Sequence, residues 1–238
     1  MKTSIIKLTV TVAGLMVMAG VAQASLLQPT SGTLDMAIPD GSPVGIANSL
    51  TVSGSGGGAI EDVSVNLNIS GGYAGDLYGY LLFQPTAGGP ATMDVLLNQI
   101  GTSGGNPFGD TTAGMNVTLS DSGTGSIHDQ TGTALTSGTG VYTPDSANTL
   151  DATFANGQAA DGTWTLFLAD LSSGGGTSQL VSWGVNISVV PEPIAWALIV
   201  FATLALALRL IFWLELKARG ARFPGSPQNV TSKGGETT

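Results

Sequence analysis

The stretch IEDVSVNLNISGGYAGDLYGYLLFQP, residues 60–85, decides the fold class of this chain. Its first part alternates between apolar and polar side chains: Val63, Ser64, Val65, Asn66, Leu67, Asn68 and Ile69. A period of two is typical of a β-strand with one face buried and the other in water. The later part, residues 77–83, is a denser apolar run of the kind that forms a strand covered on both faces. The stretch therefore predicts two β-strands in succession.

The same signals recur along the chain. A second dense run covers residues 93–100, and alternation returns in three further places: residues 115–119, 164–168 and 181–189. Glycine-rich turns separate these runs, because Gly adopts a positive φ at no steric cost. Short strands divided by turns predict an all-β fold, an antiparallel β-sandwich or jelly roll.

Other parts of the chain complete this prediction. Trp164 and Trp183 lie on the apolar phase of their strands, so we place them in the core. No helical period is evident before Ile194. The polar segment at residues 104–148 has few apolar positions, and we expect it to form long surface loops.

The charge distribution excludes several classes of function. The 238 residues include 7 Lys and Arg against 16 Asp and Glu, and the stretch from Ser25 to Pro193 has no Lys or Arg but 14 carboxylates. Such a surface repels a phosphate backbone, so we expect no nucleic-acid partner. The chain also has no cysteine, which excludes disulfide bonds, thiolate metal sites and cysteine nucleophiles.

Residues 1–24 have the layout of a secretory signal peptide. Lys2 and Lys7 precede an apolar run over residues 8–21, and Ala22-Gln23-Ala24 forms a small-residue cleavage site. We expect export from the cytoplasm with cleavage after Ala24. The β-sandwich would then occupy residues 25–189.

Residues 194–214 predict a membrane-spanning helix. These 21 residues contain a single charge, Arg209, and are long enough to cross a hydrocarbon layer of about 30 Å. A basic cluster follows the span: Lys217, Arg219 and Arg222. The positive-inside rule therefore places the C-terminus in the cytoplasm and the acidic domain outside. We expect residues 223–238 to be a disordered cytoplasmic tail.

Residues 190–222 combine the tripeptide Pro191-Glu192-Pro193, the apolar span and the basic cluster. This combination resembles the PEP-CTERM sorting signal of Gram-negative bacteria. The resemblance implies anchoring in the inner membrane, processing at the tripeptide by an exosortase-type enzyme, and delivery to the cell surface or the exopolysaccharide matrix. Family members usually end within a few residues of the basic cluster, whereas this chain continues to Thr238. A permanent single-pass anchor is the alternative.

A second resemblance covers most of residues 25–189. The segments that carry it are Ile38-Pro39-Asp40, residues 60–85, Gly162-Thr163-Trp164-Thr165-Leu166, Asp170 and LVSWGVNIS at residues 180–188. In this order they resemble the proprotein-convertase P domain, also called the P/Homo B domain. The resemblance implies a β-sandwich jelly roll, which in that family usually follows a subtilisin-like protease and stabilises it. Many members have a His-Thr-Tyr-like turn before Gly-Asp-Leu, and this chain has Gly71-Gly72-Tyr73-Ala74 instead.

The sequence offers no protease machinery of its own. A subtilisin-like enzyme needs an Asp, a His base and a Ser nucleophile in separate motifs. The only histidine, His128, lies in a polar segment without such a motif, and we interpret it as a solvated loop residue. Glu61 and Asp62 are adjacent, but neighbours on a strand face opposite sides and cannot flank one glycosidic bond. We therefore expect no catalytic residues; a serine endopeptidase label would belong to the P domain's usual partner.

Calcium is the candidate cofactor. An exported domain with many carboxylates, no cation to pair with them and many loop carbonyls has the oxygen ligands that Ca²⁺ prefers. Asp40, Asp76 and Asp170 match acidic positions of the P-domain family, some members of which bind calcium, and they are the candidate ligands. The alternative is that these side chains cap turns or keep the surface soluble.

Together these observations predict a non-catalytic exported protein that acts as an adhesive or structural component of the cell surface or exopolysaccharide matrix. The alternative is an accessory P domain that stabilises a separate secreted subtilisin-like protease. The candidate partners are an exosortase-type enzyme, the membrane through residues 194–214, and exopolysaccharide or a secreted protease.

Overall fold

The computed structural model describes residues 24–190 and 193–220 of the chain. In this part the chain forms two β-sheets and a long C-terminal helix, which is a unit separate from the sheets. The strands are β1 (Ser25–Leu27), β2 (Met36–Ile38), β3 (Ser42–Val52), β4 (Ala59–Tyr73), β5 (Leu77–Pro85), β6 (Thr92–Asn98), β7 (Ala113–Ser120), β8 (Gly140–Tyr142), β9 (Gly162–Asp170) and β10 (Ser178–Val190). The helices are α1 (Thr133–Thr136), α2 (Leu150–Phe154) and α3 (Pro193–Gly220).

The two sheets pack face to face as a β-sandwich, as the sequence predicted. The six-stranded sheet has the order β1-β10-β4-β7-β8, with β2 also paired to β10, and the four-stranded sheet has the order β3-β9-β5-β6. Neighbouring strands are antiparallel except for β7 and β8, which are parallel. The predicted strands at residues 63–69, 77–83, 93–100, 115–119, 164–168 and 181–189 all correspond to observed strands.

Burial follows the alternation of the sequence. On β4 the side chains of Val63, Val65, Leu67 and Ile69 are at most 2% exposed and face the opposite sheet. The polar residues between them face outward and are partly exposed. A shift of the β4 register by one residue would exchange these two sets, so burial of the apolar face fixes the pairing of β4 with β7 and β10.

An aromatic cluster lies at the centre of the core. The Trp164 ring is fully buried and stacks on Phe83, with ring centroids 4.2 Å apart, and Phe154 packs against it at 5.3 Å. Its indole N–H donates to the carbonyl oxygen of Ala160 at 3.3 Å, which satisfies the only polar atom of the side chain. Trp183 is 2% exposed and donates to Asn48 Oδ1 at 2.8 Å. Both tryptophans therefore belong to the core, as predicted.

Residues 104–148 differ from the expected surface loops. Besides β7, this segment contains the single-turn helix α1, the short strand β8 and a 3₁₀ turn at Ile127–Asp129. Ile127 and Leu135 are fully buried, and Tyr142 is 8% exposed. Single apolar residues, widely spaced along the chain, bury themselves in the core and hold this polar segment in place. Because they are widely spaced, the sequence shows no hydrophobic period here. The helices α1 and α2 were also not predicted, because one turn is too short to show a helical period.

Helix α3 is long and apolar enough to cross a membrane. Its segment from Leu198 to Lys217 has a mean hydropathy of 2.1, and none of that segment is buried against protein. The predicted span at residues 194–214 falls within α3. The signal-peptide prediction concerns residues that, except for Ala24, lie outside the described part of the chain, and so does the predicted tail at residues 223–238.

We predict that Trp164→Ala lowers the free energy of unfolding by about 3–5 kcal/mol, because it removes a large, fully buried ring from a close-packed core. Phe108→Ala is the matched control, since Phe108 is 81% exposed, and its effect should stay within about 0.5 kcal/mol. Urea unfolding of the full chain in a non-ionic detergent, followed by circular dichroism, measures both. Equal effects of the two substitutions would contradict the observed core.

Candidate functional site

Three strand ends bring distant aspartates to one end of the four-stranded sheet. Asp170 is the last residue of β9, and it pairs with Ser42 at the start of β3 and with Leu77 at the start of β5. Asp40 precedes Ser42 by two residues, and Asp76 immediately precedes Leu77. Since the strands are antiparallel, the end of β9 meets the beginnings of its two neighbours. The predicted residues Asp40, Asp76 and Asp170 are therefore brought into one cluster, called here the β9-end cluster.

The Gly-Gly-Tyr-Ala-Gly-Asp segment at residues 71–76 packs tightly against its neighbours next to the β9-end cluster. Gly72 has a φ of +60°, and a Cβ there would collide with the Ser178 side chain. A Cβ on Gly75 would lie 2.5 Å from the backbone nitrogen of Asp110. Gly72, near the end of β4, and Gly75, in the β4–β5 connection, let the backbone beside Asp76 approach its neighbours closely. Asp76 is accordingly only 6% exposed.

The hydrogen bonds of the cluster are unevenly distributed. The exposed Asp40 accepts the Gly174 N–H through Oδ1 at 3.3 Å, which fits the alternative that this residue caps a turn. Asp170 is fully buried and accepts the Ser178 hydroxyl through Oδ2 at 3.3 Å. Its other oxygen, Oδ1, is buried without a hydrogen-bond partner. The backbone N–H groups of Ser172 and Gly41 also interact with this carboxylate and lower its pKa, but neither reaches hydrogen-bond geometry at Oδ1.

Burial and mutual repulsion raise the pKa values of the two buried carboxyls. Burial is the largest effect on Asp76, followed by the negative charge of Asp170; the Ser172 hydroxyl acts in the opposite direction to lower the pKa of Asp76. Burial also raises the pKa of Asp170, with the charge of Asp40 adding to the effect. No Lys or Arg lies between Ser25 and Pro193 to neutralise these groups. The cluster therefore favours either a bound proton or a bound cation.

The carboxylates alone do not make a complete metal site. Within residues 24–190 and 193–220, no three His, Asp or Glu side chains converge closely enough to hold one metal ion. An ion at the β9-end cluster would need further oxygen ligands from hydroxyls, backbone carbonyls or water. Ca²⁺ accepts such mixed oxygen sets, and an unpartnered buried carboxylate oxygen is a suitable starting ligand.

A second acidic group, Asp62, Asp121 and Asp151, escaped the sequence analysis. The two oxygens of Asp121 accept the N–H groups of Leu150 and Asp151, each at 2.8 Å, and Asp151 Oδ1 accepts the Val63 N–H at 3.0 Å. Burial is the main cause that raises the pKa values of Asp62 and Asp151. Because backbone N–H groups satisfy Asp121 and Asp151, these side chains tie helix α2 to β4 and β7. Only their placement in the fold reveals this role.

Asp62 and its neighbour Glu61 do not alternate as expected. The β4–β10 pairing shifts register beside them, with Ser188 opposite Asp62 and Val189 opposite Ile60, so Glu61 is an extra residue in the strand. Glu61 is exposed and accepts the Ser188 hydroxyl at 3.4 Å. We assumed strict alternation when we excluded Glu61 and Asp62 as a pair of catalytic carboxylates, and that assumption is wrong at this bulge.

His128 is more constrained than a solvated loop residue, which corrects the sequence interpretation. Its Nε2 lies 2.9 Å from the carbonyl oxygen of Thr102 and its Nδ1 lies 3.3 Å from Asp145 Oδ2. Both partners accept hydrogen bonds, so the doubly protonated ring fits best. Within the described residues no serine hydroxyl contacts either ring nitrogen, and the geometry is not that of a Ser-His-Asp triad.

The predicted processing residues are mostly beyond the described ranges. Ala24 is exposed immediately before β1, and Pro193 begins helix α3. Pro191 and Glu192 lie between the two described ranges. The prediction of processing therefore stays a prediction.

Comparisons with known proteins assign no family. No family model and no curated protein matches the chain. Among solved structures, the serine protease of Aeromonas sobria and its complex with a chaperone match with TM-scores of 0.42 and 0.43, each at 16% identity. The match covers 71% of this chain but only 28% of the length of those chains. A likeness this distant assigns neither an activity nor a partner.

We predict that His128 makes stability depend on pH near neutrality. The hydrogen bond to Thr102 and the nearby Asp145 and Asp129 raise the pKa of His128 above 6.5, although burial opposes them. A raised pKa in the folded state gives stability that is present below pH 6.5 and is lost as the pH rises through the raised value. The loss should be below about 1 kcal/mol, as for other partly exposed ion pairs.

Melting temperatures of the full chain, measured with EDTA from pH 5.5 to 8.5, test this prediction. His128→Gln keeps a donor for Thr102 but does not titrate, so its curve should lack the decline above pH 6.5. Asp145 is a separate source of pH dependence, because burial raises its pKa above 3.8 despite the His128 contact. An identical decline in the His128→Gln protein would contradict the assignment to His128.

Proposed function

We propose that this chain is a non-catalytic, calcium-stabilised β-sandwich that is exported and acts as an adhesive or structural component of the cell surface or exopolysaccharide matrix. The observation that carries the proposal is the buried Asp170 Oδ1 without a partner, in a sandwich that has no Lys or Arg. A buried carboxylate without a cationic partner costs several kcal/mol unless a proton or a bound cation neutralises it. Calcium is abundant outside cells. Extracellular calcium-binding modules accordingly have dissociation constants for Ca²⁺ of about 10⁻⁴–10⁻³ M.

The donor set of the β9-end cluster suits calcium. Asp170 and Asp76 would supply carboxylate oxygens, Asp40 would complete the charge, and the Ser172 and Ser178 hydroxyls lie against the two buried carboxyls. A hard oxygen-only set of this kind favours Ca²⁺ over zinc, copper and nickel, which prefer nitrogen and sulfur. A bound ion would join the ends of β3, β5 and β9 and so stabilise one end of the sandwich.

We predict that Ca²⁺ raises the melting temperature of the full chain relative to EDTA. Calcium at 100 times its dissociation constant would add about 2.7 kcal/mol to the free energy of unfolding. Asp170→Asn should abolish the gain, while the control Glu61→Gln, which removes an exposed carboxylate, should keep it. In EDTA, Asp170→Asn should be no less stable than the unmodified chain, because it removes a repulsive buried charge.

Calorimetric titration of the unmodified chain with CaCl₂ provides the complementary measurement and does not depend on any variant folding. Absence of binding heat, together with equal melting temperatures in calcium and in EDTA, would contradict the calcium proposal.

Delivery is the second part of the proposal. The sequence supports cleavage after Ala24, processing at Pro191-Glu192-Pro193 by an exosortase-type enzyme, and release from an inner-membrane anchor to the surface or matrix. Helix α3 supports the anchor, because it is long and apolar enough to span a membrane.

Intact mass spectrometry of the native protein, after separation of membranes from matrix material, tests the delivery. We expect a matrix-associated species that begins at Ser25 and ends near residues 191–193. A chain that retains Thr238 and occurs only in membranes would contradict sorting and leave a permanent single-pass anchor.

An accessory domain for a separate secreted subtilisin-like protease is the second candidate function. It draws on the P-domain resemblance, whose Asp40, Gly75-Asp76-Leu77 and Asp170 segments meet in one cluster. The adhesive role has no comparable support from known proteins. Recovery of a protease with the native chain from the same fractions would favour the accessory role over the adhesive one.

A further inference from the structure

A groove lined mainly by residues with uncharged polar side chains crosses the outer face of the six-stranded sheet, on the side away from the core. It has a volume of about 370 Å³ and runs over the middle of β10, β4 and β7. Its lining includes Thr30, Asn66, Asn68, Asn116 and Ser182. None of the residues that line it is ionisable.

The register of the strands builds this groove. Asn68 lies between Ser182 on β10 and Asn116 on β7, and in the next row Asn66 lies between Gly184 and Thr118. The segment after β1 forms one wall, where Thr30 bridges to Gly184. A Cβ on Gly184 would lie 3.1 Å from Thr30 Cγ2, so this glycine lets the wall lie close over β10 and leaves space beside it.

The amide groups in the groove have unused hydrogen-bonding capacity. Elsewhere on the same face Asn186 is satisfied, because its Oδ1 accepts from Gln28 Nε2 at 3.0 Å and its Nδ2 donates to Ser64 at 3.1 Å. Hydrogen bonds within residues 24–190 leave the side-chain amides of Asn68 and Asn116 free, although Asn68 is half-buried. Each amide offers two donors and an acceptor oxygen.

The charge of the groove and its surroundings selects the class of ligand. The sandwich has no Lys or Arg and many carboxylates, so phosphate, sulfate and uronate groups would be repelled. The groove itself has no carboxylate to attract a cation. Its backbone N–H and C=O groups are paired within the sheet, so an extended peptide could not add as a strand there. Neutral hydroxyl groups, which both donate and accept, match side-chain amides best.

We propose that this groove binds a segment of a neutral polysaccharide, with Asn68 and Asn116 hydrogen-bonded to sugar hydroxyls. The inference rests on the proposed function, which places the sandwich in contact with exopolysaccharide, and it adds the part of the surface that makes the contact. The hydroxyls of Ser182 and Thr30 extend the set of polar partners along the groove.

Affinity electrophoresis of the full chain in native gels tests the proposal. The gels contain dextran, galactomannan, laminarin or hydroxyethylcellulose as neutral probes and alginate as an acidic probe, with a polyoxyethylene detergent that has no sugar head group. We expect retardation in at least one neutral gel and none in alginate. Asn116→Ala and Asn68→Ala should each raise the apparent dissociation constant about tenfold, because each removes hydrogen bonds to the ligand.

Asn186→Ala is the matched control, since it changes an asparagine on the same face whose amide is already satisfied outside the groove. Asn116 is exposed, so its substitution should leave the melting temperature unchanged and keep the test valid if Asn68→Ala is unstable. Absence of retardation in all neutral gels, or equal retardation of the Asn116→Ala protein, would overturn the proposal, and so would retention only by alginate. Gel binding needs neither processing nor calcium, so it can fail or succeed independently of the proposed function.

Discussion

The absence of every Lys and Arg from the sandwich is the constraint on which its polar structure depends. Buried carboxylates in most proteins find a cationic partner, but here they must be satisfied by backbone N–H groups, hydroxyls, protons or ions. Asp121 and Asp151 find backbone N–H groups. Asp94, 4% exposed, accepts from the Ser146 and Thr153 hydroxyls and its neighbour's N–H, yet burial still raises its pKa. Asp170 stays incomplete, and this distinguishes the β9-end cluster from the other acidic groups.

The two polar features of the sandwich, the β9-end cluster and the groove, lie on different sheets. The β9-end cluster depends on where three strands of the four-stranded sheet begin or end, whereas the groove depends on the outward face of the six-stranded sheet. The same alternation that sends Val65 and Leu67 into the core sends Asn66 and Asn68 outward. Core and groove therefore come from one sequence pattern, and a register shift would destroy both.

Much of the fold could be predicted because strands with a strict period or a dense apolar run reveal themselves locally, as residues 63–69 and 77–83 do. The strands β1, β2 and β8 have three residues each, too few for a period, and β3 mixes exposed and half-buried positions without clean alternation. The aspartates of the candidate site were identified from the P-domain resemblance, and the strand pairing of the structure brings them to one end of the sheet.

Other features of the candidate site and of the groove could not be predicted from the sequence. The contacts of His128 and the bulge at Glu61 depend on residues more than a dozen positions away, and the missing partner of Asp170 Oδ1 is visible only in the folded chain. The outward asparagines were visible in the sequence, but their groove depends on Gly184 and on the segment that bridges to it through Thr30.

The strand that ends the sandwich has a mechanical consequence. β10 pairs with β4 along most of its 13 residues, and its last residues also pair with β1, where Ser25 lies opposite Val189. A pull on Val190 along the direction of the strand would load these hydrogen bonds in shear, so that many must break together. Because the groove lies on β10 and β4 as well, tension between a bound polymer and the C-terminal attachment would pass through one continuous sheet and spare the interface between the two layers.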